Sequence, residues 1–108
     1  YAFSVTSYAF PIQRAIRLTP GGRVEMFDPT HIHTRSQDLE PAYHDAGQFY
    51  WGRTGAWCNG NPIFSSRSLP VLLPRSRVQD IDTEEDWERA EWLFRAAHAL
   101  TDRNGAVT

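Results

Sequence analysis

The chain has 108 residues, of which 41% are hydrophobic and 22% charged, as is ordinary for one globular domain with a modest core. Its net charge of −2 implies no general affinity for nucleic acid or other polyanions. No stretch has the length and apolarity of a membrane span. The single cysteine, Cys58, excludes an intramolecular disulfide framework and fits a reducing compartment, so we expect a cytoplasmic protein.

The amino-terminal third reads as strands and turns. Residues 1–8 alternate in polarity as a strand does, and residues 13–18 and 23–27 predict two more strands. A Pro-Gly-Gly turn at residues 20–22 separates the latter two, so they are expected to form a β-hairpin. Because the chain opens inside the first strand, with neither methionine nor a polar lead-in, we expect it to be a piece of a longer protein.

Residues 34–50 are the densest stretch of polar and aromatic side chains. Arg35, Gln37 and Gln48 are planar donors that suit a sugar carboxylate, and Tyr43 supplies an aromatic face nearby. The alternative is a structured loop whose polar groups satisfy one another. The local sequence leaves these two interpretations open.

Three shorter elements follow. Residues 48–51 predict a strand after a break at Gly47, and residues 51–61 predict a short helix that stops where Gly60 can adopt a left-handed conformation. The apolar run at residues 69–73 lies between prolines and predicts a buried strand or extended segment.

Residues 77–91 carry the feature around which we interpret the rest of the chain. A short strand would place Asp80 and Asp82 on one side, where two carboxylates can hold a hard divalent cation such as Mg2+. Thr83 is then expected to cap a helix together with Asp86. The local sequence alone favours a plainer interpretation, solvated turn and cap residues, because acidic residues are common at helix starts.

The closing helix is predicted over residues 84–101, with a stop at residues 104–105. Apolar side chains recur along it at helical spacing, which predicts a face that packs into the core. The residues of this face are Trp87, Ala90, Phe94 and Ala97.

Five motifs, in order, resemble the carboxyl-terminal half of the acylneuraminate cytidylyltransferases, the CMP-sialic acid synthetase family. They are FPIQRAI at residues 10–16, TRSQDL at 34–39, YHDAGQFYWG at 43–52, IFSS at 63–66 and QDIDTEEDWERAE at 79–91. They look closest to the pseudaminic acid branch, since a sialate enzyme would more often carry Asn-Gly where this chain has Ala-Gly at residues 46–47.

The resemblance implies a nucleotidyltransferase that moves CMP from CTP to a nonulosonic acid, in this branch pseudaminic acid. Pyrophosphate is released, and the product serves surface glycan or flagellin glycosylation. The family's DxD aspartates bind the catalytic Mg2+, and they match Asp80 and Asp82. The family's RQDL arginine is displaced, because Ser36 precedes Gln37 and the arginine stands at 35. The implied substrate-binding residues are Gln37, Tyr43 and Phe64, with Arg35, Gln48 and Gln13 beside them.

The resemblance also implies an α/β fold, the carboxyl-terminal part of a Rossmann-like, three-layer α/β/α nucleotidyltransferase. Residues of about 10–35 would form an inserted β-hairpin dimerisation subdomain, and residues 36–108 the part that binds sugar and metal. In a homodimer, Gln13 would reach the edge of a partner's site. The family's glycine-rich, basic loop for CTP does not occur here, so we expect the intact parent protein to be the enzyme and this chain alone to be inactive.

Two other interpretations stay open. One is a non-catalytic dimerisation or sugar-binding module, which the upstream sequence would separate from the enzyme. The other is a sister enzyme acting on sialic or legionaminic acid, which an assay against a panel of sugars would identify. Neither nucleic acid nor a membrane is an expected partner.

Overall fold

The computed structural model describes residues 1–104, which form an α/β arrangement of short strands and two α-helices. The α/β class predicted from the sequence is confirmed. The elements are β1 (Ala2–Ser7), β2 (Ile16–Leu18), β3 (Val24–Met26), β4 (Tyr43–Trp51), α1 (Thr54–Cys58), β5 (Leu69–Leu72) and α2 (Glu84–Asn104).

This part of the chain divides into two compact units. The sheet unit comprises Tyr1–Thr6 and the chain from Asp45 onward, and the hairpin unit comprises Ser7–His44.

The sheet unit is built on β1, the central strand of a three-stranded sheet in the order β4-β1-β5. β1 pairs in parallel with β5, from Ala2 opposite Leu69 to Val5 opposite Leu72. As a central strand it is buried on both faces, and its polar residues Ser4 and Thr6 are only 0% and 2% exposed. Such groups need hydrogen bonds, and Thr6 Oγ1 donates to the Leu73 main-chain oxygen at 2.8 Å.

The hairpin unit contains the predicted β-hairpin. β2 and β3 pair antiparallel, from Ile16 opposite Met26 to Leu18 opposite Val24, and the Thr19 N–H closes the turn on the Arg23 oxygen at 2.9 Å. Its first strand is shorter than predicted, because a 3-10 turn over Ile12–Arg14 precedes it.

Residues 43–61 show one departure from the predicted elements and one agreement. β4 begins at Tyr43 rather than at Gln48, because Gly47 adopts a φ of +70° within the strand and does not end it. The helix stop predicted at Gly60 is confirmed. The N–H groups of Gly60 and Asn61 donate to the carbonyl oxygens of Trp57 and Ala56 at 3.2 and 3.1 Å, a Schellman closure.

The prediction of a strand that carries Asp80 and Asp82 is wrong. Residues 78–83 contain no strand, although Val78 is extended, with φ −123° and ψ 124°. The physical reason is that side chains occupy the backbone groups that a ladder would use. Asp86, for example, accepts from the Asp82 N–H at 3.0 Å.

Helix α2 begins as predicted and continues to Asn104; Gly105 of the predicted stop lies outside the described residues. The prediction that its apolar face packs in the core is wrong for this chain, since Trp87 is 57% and Phe94 is 64% exposed. Instead, the face lines an open groove of about 370 Å³ together with Ile81. Within residues 1–104, no helix has the length and apolarity needed to cross a membrane.

Candidate functional site

The residues predicted for the site fall into both units. The sheet unit holds Asp80, Asp82, Gln48 and Phe64. The hairpin unit holds Arg35, Gln37, Tyr43 and Gln13. The carboxylates predicted to bind metal therefore share a unit with Gln48 and Phe64.

Asp80 and Asp82 lie on an exposed loop that leads into α2. The loop ends in the predicted capping box. Thr83 Oγ1 accepts from the Asp86 N–H at 3.2 Å, and Asp86 Oδ2 accepts from the Thr83 and Asp82 N–H groups at 3.1 and 3.0 Å. The bond from the Asp82 N–H, followed by the bonds with Thr83, lowers the pKa of Asp86. The cap therefore fixes the Asp82 backbone, while the Asp82 carboxylate takes no part in it.

Gln79 ties the same loop to α2. Its Nε2 donates to the Asp80 main-chain oxygen at 2.7 Å, and its Oε1 accepts from Arg89 Nη1 at 2.5 Å. Nε2 also donates to Asp86 Oδ1 at 3.4 Å. One side chain thus links the Asp80 backbone to two residues of the helix, which limits how far Asp80 can move relative to α2.

On its other side, Asp80 has the middle of β4 as a neighbour. A Cβ added at Gly47 would lie 3.8 Å from Asp80 Oδ1, which is ordinary van der Waals contact. Next to this glycine, the Gln48 and Phe49 N–H groups both donate to Ser4 Oγ, at 3.1 and 3.3 Å. Two successive β4 amides bonded to one β1 side chain, next to a left-handed glycine within the strand, indicate a β-bulge at Gly47. Bulges of this kind often re-aim side chains at functional sites.

Asp45 spans the bulge. Its Oδ1 accepts from the Gly47 N–H at 2.8 Å, and its Oδ2 accepts from the Tyr50 hydroxyl. The hydrogen bond to Asp45, with partial burial and the negative charges of Asp45 and Asp80, raises the pKa of Tyr50. Tyr50 therefore stays a protonated donor at neutral pH, within electrostatic range of Asp80.

Gln48 and Phe64 lie beside this arrangement in different ways. Gln48 Nε2 donates to the Arg77 main-chain oxygen at 3.0 Å, so this amide holds the turn that precedes the aspartates. Phe64 is 70% exposed and packs edge-on against Phe3, with 5.3 Å between ring centroids. Phe3 also stacks on Tyr50 at 5.9 Å. Phe64 thus presents an exposed aromatic face that can pack against an apolar part of a ligand.

The hairpin unit places its predicted residues at the surface or in local contacts. Arg35 Nε donates to Asp38 Oδ2 at 3.2 Å across an exposed 3-10 turn, and Gln37 is exposed in that turn. Tyr43 is 53% exposed. Gln13 Nε2 donates to the Glu40 main-chain oxygen at 3.0 Å, while its Oε1 is buried without a hydrogen-bond partner among the described residues. The local contact of Arg35 matches the structured-loop interpretation, whereas Gln37 and Tyr43 offer exposed groups to a ligand.

Sequence reasoning did not assign site roles to Asp45, Tyr50, Gln79 and Arg89. A glycine inside a strand pattern, two residues after an aspartate, is a signal for a bulge and an Asx turn, and it could have pointed to Asp45. Arg89 lies within the motif at residues 79–91, but the motif does not indicate its contact with Gln79, which exists only once α2 has folded back along the loop.

The carboxylates Asp80 and Asp82 fit a magnesium site of one particular type. Residues 1–104 contain no group of three or more His, Cys, Asp and Glu side chains that could hold a metal by themselves. Mg2+ is commonly bound through one or two carboxylates, with substrate phosphates and water completing its coordination. Two exposed carboxylates on a braced loop are compatible with this second type of site.

Comparison with known proteins agrees with the motifs. The chain is 46% identical over 98 residues to pseudaminic acid cytidylyltransferases from two strains of Campylobacter jejuni, and the match covers 91% of this chain. It is 38% identical over 81 residues, 75% of this chain, to a Helicobacter pylori protein named pseudaminic acid cytidylyltransferase and UDP-2,4-diacetamido-2,4,6-trideoxy-beta-L-altropyranose hydrolase. No family model matches the chain.

The match covers only part of these relatives. The chain spans 42% of the length of the Campylobacter proteins and 15% of the Helicobacter protein. Over the stretch that it spans, the predicted resemblance to the pseudaminic acid branch of the acylneuraminate cytidylyltransferases is confirmed.

Proposed function

We propose that this chain is the carboxyl-terminal part of a pseudaminic acid cytidylyltransferase, a CMP-sugar synthetase. The observation that carries the proposal is the 46% identity to proteins of that name over nearly the whole chain. In the reaction, a hydroxyl of the nonulosonic acid attacks the α-phosphorus of CTP, and pyrophosphate leaves as the CMP-sugar forms. This transfer needs aligned reactants and charge neutralisation more than a covalent nucleophile.

Asp80 and Asp82 would hold the divalent cation, Mg2+. When bound, such an ion neutralises phosphate charge and makes the attacking hydroxyl more acidic. The chain's own contribution is a rigid loop. Gln79 and the capping box hold the backbone of both aspartates, so the two carboxylates need little reorganisation to bind.

Arg75 and Arg77 support a phosphate-facing role for the same loop. Both are exposed, in a turn just before the aspartates, and neither has an ion-pair partner within residues 1–104. Without an internal partner, their charge is available to offset the negative charge of a triphosphate or of pyrophosphate.

Each unit, taken by itself, carries polar and aromatic groups suited to the sugar. In the sheet unit, Phe64 offers an exposed ring for the apolar substituents of the sugar, and Gln48 keeps its Oε1 as an acceptor. In the hairpin unit, the candidates are Arg35, Gln37 and Tyr43, with Arg35 exchanging Asp38 for the sugar carboxylate. Gln13 would act from across a dimer.

The remaining elements of the proposal concern the whole protein. Its core would be a Rossmann-like three-layer fold whose CTP-binding half lies in the length of the relatives that this chain does not span. The β2–β3 hairpin would be the dimerisation subdomain, and the enzyme would act in the cytoplasm. The exposed apolar face of α2 supports an incomplete domain, because contiguous exposed apolar faces are often covered by other protein surface.

The test is an assay of the full-length protein that contains this chain, with CTP, Mg2+ and separate pseudaminic, sialic and legionaminic acids. We expect CMP-sugar and pyrophosphate in equal amounts, with pseudaminic acid as the preferred acceptor. Preference for another of these sugars would identify a sister enzyme. No product with any of them would contradict the proposed function and favour a non-catalytic module.

A further inference from the structure

We propose that Asp45 and Tyr50 are positioning residues that set the Asp80 carboxylate by locking the bulge of β4 at Gly47. The proposal rests on the proposed function, because Asp80 is the group whose position matters there. It assigns a catalytic consequence to a hydrogen-bonded pair that does not itself contact the reacting atoms.

The lock is the set of side-chain hydrogen bonds that hold residues 47–49 of β4. Asp45 uses both carboxylate oxygens, one on the Gly47 N–H at 2.8 Å and one on the Tyr50 hydroxyl. From the neighbouring strand, the buried Ser4 Oγ takes the N–H groups of Gln48 and Phe49. Three successive amides of the bulge are therefore held by side chains, and Tyr50 anchors one of those side chains.

The bulge also lies close to Asp80, since a Cβ built at Gly47 would lie 3.8 Å from Asp80 Oδ1. On the other side, Gln79 and Arg89 hold the Asp80 main-chain oxygen to α2. Asp80 thus lies between a braced helix and a braced bulge, and loosening the bulge removes one of its two boundaries.

A positioning role of Asp45 can be separated from a role of its charge. Both carboxylate oxygens accept hydrogen bonds from the protein, one from the Gly47 N–H and one from the Tyr50 hydroxyl. Asparagine at this position can still accept from the Gly47 N–H through Oδ1, and its amide can still hydrogen-bond with the Tyr50 hydroxyl oxygen. A positioning role therefore tolerates Asp45→Asn, whereas a ligand role for the Asp45 charge does not.

The experiment uses the full-length protein and four variants: Tyr50→Phe, Asp45→Ala, Asp45→Asn and the control Tyr1→Phe. The control also removes a tyrosine hydroxyl, one that donates to the Ala56 and Asn61 main-chain oxygens at 3.0 and 2.9 Å. We measure kcat and KM for CMP-sugar formation, Mn2+ affinity by electron paramagnetic resonance, and hydrogen exchange of the segment around Gly47.

We expect Tyr50→Phe and Asp45→Ala to lower kcat about ten- to hundredfold, because small misplacements of catalytic groups cost that much. Both should weaken Mn2+ binding and speed exchange around Gly47, with little change in the KM for the sugar. Asp45→Asn keeps both hydrogen bonds, and the Tyr1 hydroxyl contacts a different segment, so these two variants should stay within about twofold of the parent protein.

Two results would overturn the proposal. Loss in Asp45→Asn equal to that in Asp45→Ala would show that the charge is needed, and parent-like behaviour of Tyr50→Phe would show that the lock is irrelevant. If Asp45→Ala does not fold, Tyr50→Phe decides, because it removes one oxygen from a side chain that is 40% exposed. If the parent protein forms no CMP-sugar, the proposed function fails separately, and Mn2+ affinity with hydrogen exchange still tests the lock.

Discussion

Gly47→Ala should destabilise the protein through backbone conformation alone. Gly47 has φ +70°, a region that costs a residue with a Cβ roughly 1–2 kcal/mol. The added methyl would meet Asp80 Oδ1 at 3.8 Å, an ordinary contact, so steric overlap adds nothing to this cost. We therefore expect the free energy of unfolding to fall by about 1–2 kcal/mol.

Gly55→Ala is the matched control, because it adds the same methyl group in α1. A Cβ at Gly55 meets nothing within 4 Å, and this glycine lies in a helix with no positive φ. Alanine should therefore stabilise the protein by about 0.5–1 kcal/mol. Denaturant unfolding of the full-length protein and both variants measures the difference. A Gly47→Ala variant as stable as its parent would refute the left-handed bulge and, with it, the placement of Asp80.

Two further predictions concern α2. The folded-state pKa of Asp86 is lowered, so the stability it contributes is present above its unfolded pKa, near 3.8, and is lost as the pH falls below that value. Asp86→Asn should therefore lower the melting temperature at pH 7. It should also weaken the fall of the melting temperature with decreasing pH below about pH 4, and an unchanged fall would contradict the cap. Phe94, 64% exposed, should tolerate Phe94→Ser within about 0.5 kcal/mol in the 108-residue chain. The same change should cost about 3 kcal/mol or more in the full-length protein if that face is covered there, and equal melting shifts in the two proteins would contradict a covered face.

The elements that the sequence predicted well are those whose cause is local. The β2–β3 hairpin follows from a Pro-Gly-Gly turn, and the Gly60 helix stop follows from a left-handed glycine. The cap formed by Thr83 and Asp86 likewise depends only on residues 83–86. In each case the deciding hydrogen bonds join residues only a few positions apart, so the pattern and the structure carry the same information.

The elements that it predicted poorly depend on partners distant in the chain. Alternation favoured a strand at the aspartates, but Asp86 and Gln79 take backbone groups of that segment instead. Helical spacing placed Trp87 and Phe94 on one face, but spacing cannot say what covers that face. Asp45 and Gly47 are a local signal for the bulge, but its hydrogen bonds to Ser4 could not be predicted, because Ser4 lies 44 positions away from Gln48.

For the candidate site, the motifs identified residues but not how they are held. Asp80, Asp82, Gln48 and Phe64 could be named from the resemblance, and all four lie in the sheet unit. The groups that brace Asp80 lie within the motifs at residues 43–52 and 79–91, but the motifs do not indicate what glutamine, arginine and tyrosine contact until the fold brings them together. Residues that position a site are in general harder to read from one sequence than residues that form it.

The most direct test of the proposed metal site is the Mg2+-dependent rate of CMP-sugar formation by the full-length protein that carries Asp82→Asn. Its matched control is Asp102→Asn, which removes a charge of the same kind from the exposed surface of α2. We predict that Asp82→Asn lowers turnover by orders of magnitude, that its fold and melting temperature stay those of the parent, and that Asp102→Asn retains most activity. An unchanged Mg2+-dependent rate in Asp82→Asn would contradict the assignment of this loop as the metal site.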